Sequence, residues 1–133
     1  MAFANRTRVP VPKTQGEIIS LLAKVGAKDH SIGVEQQAAF AAFRYKNLVV
    51  KVTVPLPKDN NDQKLRTRWR LLYNVLKFRF ESIAEGGRVF ETEFLADIVT
   101  DAGPTVGQIM LPRLQAANGP LALAAAAAAE ERA

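Results

Sequence analysis

Residues 39–54 read AFAAFRYKNLVVKVTV, and this stretch decides the fold that we predict. Hydrophobic residues alternate along both halves, which is typical of two antiparallel strands joined by the two-residue turn Lys46-Asn47. With that turn, apolar side chains face each other in pairs on one side of the hairpin. The pairs are Tyr45 with Leu48, Phe43 with Val50, Ala41 with Val52 and Ala39 with Val54. A slip of one residue would mix this face with the polar one, so the pattern specifies the register.

A short helix and an extended arm are predicted on the N-terminal side of the sheet. Thr14 stands three residues before Glu17, which is the spacing of a helix capping box. Apolar residues then recur at helical spacing, so we predict an amphipathic helix over residues 15–25. The two prolines within residues 1–13 favour an extended N-terminal arm.

A first strand and a loop adjoin the hairpin. Ile32 and Val34 alternate with small or polar residues, which predicts a strand before a turn at Gln36-Gln37. After the hairpin, the prolines of residues 55–57 end the sheet, and a polar loop closes at Asp62, a residue type suited to cap a helix.

A long helix is predicted from residue 63 to about residue 85, with Gly86-Gly87 at its C-terminal cap. One apolar stripe along this helix is assigned to the core. Its members are Leu65, Trp69, Leu72, Leu76, Phe80 and Ile83. A second apolar stripe on this helix consists of Leu71, Val75 and Phe78. It predicts that this side of the helix is also covered, either by the C-terminal part of this chain or by another subunit of a homodimer.

The C-terminal third is predicted to be helical. Residues 90–99 carry an apolar stripe at helical spacing, with acidic side chains on the solvent-exposed side. Thr105 with Gln108 forms a second capping box, which predicts a further helix. The expected fold class is α+β: an N-terminal helix, a three-stranded antiparallel meander, a long basic helix and two or more C-terminal helices. We expect one domain over residues 14–118, followed by an alanine-rich tail over residues 119–133.

Composition argues against catalysis. The 133 residues include no Cys and a single His, which excludes disulfides, thiolate metal sites, cysteine nucleophiles and histidine metal pairs. We predict no catalytic residues, no metal and no cofactor. An enzyme would need the group Glu91, Glu93, Asp97 and Asp101 to hold a divalent cation, and an exposed acidic helix face is the favoured interpretation of that group.

Charge is distributed unevenly along the chain and suggests a polyanionic partner. Residues 1–79 carry 15 basic and 5 acidic residues, a net +10, whereas residues 80–133 carry 3 and 8, a net −5. The basic residues of the long helix lie on two flanks of its apolar stripe, with Arg66, Arg70 and Lys77 on one flank and Lys64, Arg68 and Arg79 on the other. We therefore predict contacts from these six residues to the phosphates of DNA or RNA.

An alternative from a different class is a protein-binding module without catalysis. In that interpretation the second stripe of the long helix and the acidic helix after it form a homo-oligomer or bind a host protein. No apolar run approaches the roughly 20 residues of a membrane span, and the N-terminal residues lack the apolar core of a signal peptide. We expect a soluble protein that acts in the cytoplasm, with no membrane partner.

Several segments resemble a group of small uncharacterised bacteriophage and prophage proteins. They are VPVPKTQGEIISLLAKVGA (9–27), TVPLP (53–57), RTRWRLLYNVLKFRFESIAEG (66–86), FETEFLADIV (90–99) and GPTVGQIMLPRL (103–114). The resemblance covers most of residues 9–115, although related proteins have an Asp-Gly turn where this chain has Asp101-Ala102-Gly103-Pro104. It implies a phage or prophage origin, action in the bacterial cytoplasm and a non-structural accessory role, and it supplies no catalytic residues.

The order of elements provides a separate analogy. A helix, three antiparallel strands and a helix within about 70 residues is the arrangement of double-stranded RNA-binding domains. The chain does not match the loop motifs of that family. Because one fold serves many functions, the analogy suggests a ligand class and does not establish one.

Overall fold

The predicted meander is present, with its strands in the spatial order of the sequence. The computed structural model describes residues 7–59, 61–117 and 120–132. Its three strands are β1 (Lys28–Glu35), β2 (Ala38–Tyr45) and β3 (Leu48–Pro55). All four predicted apolar pairs of the hairpin face each other. Phe43 and Val50 are at most 1% exposed, which confirms that this face is the core face.

Both turns of the sheet have the backbone conformation that a tight hairpin requires. The φ angles are 48° and 65° at Lys46 and Asn47, and 50° and 61° at Gln36 and Gln37. Positive φ at both central residues is the mark of a type I′ turn, whose twist matches that of the strands it joins. β1 begins before the predicted alternation, and its register against β2 shifts between Lys28 and Ser31, where the strand bulges.

The first helix begins earlier than predicted. α1 spans Val11–Lys24, and Pro10 occupies the N-cap position. The predicted cap at Thr14 is wrong, because Thr14 lies inside the helix with its side chain fully buried. Proline fits the first helical turn, where its missing N–H would have no partner, so Pro12 starts this helix instead of extending the arm. Of the predicted arm, residues 7–10 precede the helix, and residues 1–6 lie outside the described part.

The long basic helix forms almost as predicted. α2 spans Asp62–Ala84, and the side chain of Asn61 accepts a hydrogen bond from the backbone N–H of Lys64 at 3.0 Å. The cap is therefore Asn61, one residue before the predicted Asp62. At the other end Gly86 has a φ of 83°, and its N–H donates to the carbonyl of Ile83 at 3.0 Å. This confirms the predicted glycine cap.

The core lies between the inner face of the sheet and the two helices. Ile18 and Leu22 of α1 are fully buried and belong to the same cluster as the inward residues of β2 and β3. From α2, Trp69 is 2% exposed and Leu72 is fully buried, so the assignment of this stripe to the core is confirmed. Both helices therefore cover one face of the sheet.

The helix predicted over residues 90–99 is wrong as a single element. α3 spans only Phe90–Glu93, and a 3₁₀ helix follows at Leu95–Asp97. The chain then extends, and the N–H of Val99 donates to the carbonyl of Val49 at 2.8 Å. The backbone N–H and C=O groups at the outer edge of β3 need hydrogen-bond partners, and residues 98 and 99 provide partners for some of them.

Two further helices complete the described chain. α4 spans Val106–Ala117, and its capping box is confirmed: Thr105 N–H donates to Gln108 Oε1 at 2.8 Å, and Gln108 N–H donates to Thr105 Oγ1 at 3.2 Å. α5 spans Pro120–Arg132, within the predicted alanine-rich tail. The predicted boundary at residues 118 and 119 lies outside the described residues. Among the helices that the structure describes, none combines the length and the apolar character needed to cross a membrane.

Candidate nucleic-acid interface

α1 and α2 run in the same direction and begin side by side. Gln63 Nε2 in the first turn of α2 donates to the carbonyl of Thr7, just before α1, at 2.9 Å. Farther along, Arg70 of α2 lies 3.1 Å from Glu17 of α1. Because residue numbers rise together along the contact, both helices present their N-terminal ends at one end of the molecule. The partial positive charges of the two helix dipoles therefore add at that end.

Basic side chains gather around these two helix starts. We define the helix-start surface by the cations of residues 7–14 and 55–68: Arg8, Lys13, Lys58, Lys64, Arg66 and Arg68. The same segments carry two carboxylates, Asp59 and Asp62. A cleft of about 270 Å³ lies between the helix starts and is lined in part by Arg8 and Arg66. This end of the molecule is therefore electropositive both by side-chain charge and by helix dipole.

Three of these cations were missed as site residues by sequence reasoning. Arg8, Lys13 and Lys58 are exposed, and none has a carboxylate within 4.0 Å among the residues that the structure describes. Their only signal in the sequence is the +10 charge of residues 1–79. They lie on three separate segments, and only the folded chain brings these segments to one end.

The first half of the predicted basic set belongs to this surface. Lys64 Nζ lies 3.1 Å from Asp59 Oδ2, with both side chains more than half exposed. Arg66 donates to Gln63 Oε1 at 2.7 Å, and its Nε is buried without a hydrogen-bond partner among the described residues. Arg68 donates to the carbonyl of Pro55. The contacts of Lys64 and Arg68 are exposed to solvent and therefore weak, so these two cations remain available to a stronger anion, whereas Arg66 is half-buried.

The other half of the predicted set points elsewhere and has partners within the chain. Arg70 pairs with Glu17 and stacks over the ring of Tyr73 at 4.5 Å. Arg79 lies 2.7 Å from Asp97, with both side chains largely buried. Lys77 lies 4.0 Å from Glu81. The structure therefore does not bring the six predicted residues into one patch.

The ion pair of Arg79 has a structural role in this fold. Its guanidinium also lies 5.3 Å from the centre of the Phe94 ring, and Phe94 is fully buried. Both side chains are part-buried, so removing either partner leaves the other charge without its ion pair and destabilises the fold. Arg79 and Asp97 thus tie the segment after α3 to the C-terminal part of α2.

The predicted oligomer stripe is only partly open. Leu71 and Val75 are half-buried and pack against the core of their own chain, whereas Phe78 is 55% exposed. A more open apolar surface lies on α4, where Met110, Leu111 and Leu114 are 39%, 54% and 49% exposed. The sequence predicted this helix from its capping box and did not indicate an open apolar surface on it.

Two of the four acidic residues considered for a metal, Glu93 and Asp97, form ion pairs. Glu93 Oε2 lies 2.8 Å from Arg88 Nε, and Asp97 pairs with Arg79. Within the described residues, no group of three or more His, Cys, Asp or Glu side chains could hold a metal ion. The arrangement therefore favours structural roles for Glu93 and Asp97.

Comparison with known proteins identified no relative of this chain. The chain matches no protein-family model, no curated protein and no solved structure. We therefore infer its function from its residues and their geometry alone.

Proposed function

We propose that this protein binds nucleic acid through phosphate contacts at the helix-start surface. The observation that carries the proposal is the parallel arrangement of α1 and α2, which brings two helix N-termini and six basic side chains together against two carboxylates. Phosphate oxygens accept hydrogen bonds from Lys and Arg and are attracted to the positive ends of helix dipoles, so the side chains and the helix starts of this surface suit them.

The expected binding is electrostatic and only weakly selective for sequence. Contacts to phosphates fix the position of a protein on its ligand but carry no base information. Arg8, Lys13 and Lys58, which have no carboxylate partner within the described part of the chain, extend the surface beyond α2, so about three to five simultaneous phosphate contacts are expected. With the resemblance to bacteriophage proteins, this proposal assigns the protein an accessory role in phage DNA or RNA metabolism in the bacterial cytoplasm.

The test is a titration of labelled DNA and RNA, followed by fluorescence anisotropy at several salt concentrations. On duplex DNA, three to five contacts predict a slope of about −3 to −5 for log K against log salt. Reversing Lys13 and Lys58 together (K13E and K58E) should weaken binding at least about tenfold, because each lost contact is worth roughly 1 kcal/mol in water and each new carboxylate repels phosphate.

The matched control reverses Lys24 and Lys28, which are exposed and lie where α1 ends and β1 begins. This variant changes the net charge by the same amount and should retain most of the affinity. Equal losses in the two double variants would show that only net charge matters and would remove the helix-start surface as the site. Absence of binding at micromolar protein in about 50 mM salt would overturn the proposed function.

A second candidate function is protein binding through α4. Its specific observation is the open apolar surface of Met110, Leu111 and Leu114, since neighbouring apolar residues on a small protein often mark an interface. A second copy of this chain is the first partner to test, and a host protein is the alternative. Sedimentation analysis tests the first possibility.

A further inference from the structure

Four of the six cations of the helix-start surface stand on helices that the fold holds in place. The hydrogen bond from Gln63 to the carbonyl of Thr7 joins the segment before α1 to the first turn of α2. The contact of Arg68 with the carbonyl of Pro55 joins α2 to the end of β3. Lys13 lies within the first turn of α1, whose backbone is regular from Val11. The backbone of these four helical cations, which are Lys13, Lys64, Arg66 and Arg68, is therefore fixed before any ligand binds.

A turn of the sheet lies at the same end of the molecule. The N–H of Leu56 donates to the carbonyl of Gln37 at 2.8 Å, and Gln37 Nε2 donates to the carbonyl of Pro57 at 2.9 Å. The turn between β1 and β2 is thus held against the loop that carries Lys58. Exposed Gln36 in this turn adds an amide, which both donates and accepts hydrogen bonds.

The two aromatic rings of α2 nearest the helix-start surface, Trp69 and Tyr73, are committed to contacts within the protein, whereas Phe78 lies farther along the helix and is exposed. Trp69, the residue directly after Arg68, is 2% exposed and packs in the core. The ring of Tyr73 is covered by the guanidinium of Arg70 at 4.5 Å. Proteins that bind single strands rely on exposed rings on which successive bases stack. Trp69 and Tyr73 are positioned for packing instead.

We propose, building on the function proposed above, that the ligand of the helix-start surface is a double helix rather than a single strand. A duplex presents one phosphate charge per about 1.7 Å of its axis, on a backbone that is already stiff. Cations on regular helices meet such an array with little ordering of either backbone, whereas the backbone of a flexible single strand must be ordered on binding. Duplex DNA and duplex RNA share this chemistry.

The experiment compares four labelled ligands of the same base sequence: duplex DNA, duplex RNA, single-stranded DNA and single-stranded RNA. Each is about 20 nucleotides or base pairs long. Anisotropy titrations in about 50 mM salt should give a duplex affinity at least tenfold higher than that of either single strand. The K13E and K58E double variant should lose affinity for the duplex, and the control variant at Lys24 and Lys28 should keep it.

Trp69 provides an independent readout, because it is the one tryptophan of the chain. Its emission should stay unchanged when any of the four ligands binds, since a buried ring cannot stack on a base. Single strands that bind as tightly as duplexes, or that quench Trp69 strongly, would overturn the duplex assignment and leave the proposed function in place. Failure of all four ligands to bind would overturn both.

Discussion

At the scale of single residues, neighbouring valines of β3 have opposite environments. Val50 is fully buried opposite Phe43, whereas Val49 lies on the other face opposite Arg44 and is half-exposed. We expect Val50→Asp to unfold the protein, because a buried carboxylate without a partner costs several kcal/mol against a total stability of about 5–15 kcal/mol. Thermal melting followed by circular dichroism measures this.

Val49→Asp is the matched control for this prediction. It places the same side chain one residue away, on the partly exposed face and opposite an arginine, so we expect a cooperative transition with a much smaller loss of stability. If Val50→Asp melted like the natural protein while Val49→Asp unfolded, the register of the hairpin would be wrong by one residue.

At the scale of elements, the start of α2 tests how the helix is capped. Asn61→Ala removes the side-chain acceptor for the Lys64 N–H and should cost about 1 kcal/mol, a decrease of a few degrees in Tm. Asp62→Ala removes only a charge that favours the helix dipole, so its cost should be a few tenths of a kcal/mol. Denaturant unfolding of both variants checks this order. A larger loss in Asp62→Ala than in Asn61→Ala contradicts the observed cap.

Helix boundaries were predicted less well than strand register, and the reasons are local. Asn61 and Asp62 are both good caps, so residue type alone does not distinguish them. Thr14 has the spacing of a cap but also fits a buried helical position, which it takes because Pro10 and Pro12 start α1 earlier. Register was predictable because a slip would expose a whole apolar face.

At the scale of the whole molecule, the open apolar surface of α4 predicts self-association. We expect the natural protein to sediment as a dimer at high concentration, and the double variant L111D and L114D to sediment as a folded monomer, because both leucines are about half exposed. Phe78→Lys serves as the comparison and should stay dimeric.

A monomeric Phe78→Lys variant together with a dimeric L111D and L114D variant would place the interface on the second stripe of α2, which consists of Leu71, Val75 and Phe78. A natural protein that remains monomeric at high concentration would remove self-association through either surface. Circular dichroism of each variant separates a lost interface from a lost fold, because only the latter changes the spectrum.

The sequence by itself determined the meander, its register, the two-residue turns and the core stripe of α2, because each follows from local periodicity and turn chemistry. It also determined that the basic charge lies before residue 80. Only the tertiary structure decided which cations lie together at the helix-start surface. Parallel packing of α1 and α2 brings Lys13 and Lys58 to one end, while Glu17 and Asp97 pair with Arg70 and Arg79. These contacts join residues far apart in the chain, and spacing along a single helix carries no information about them.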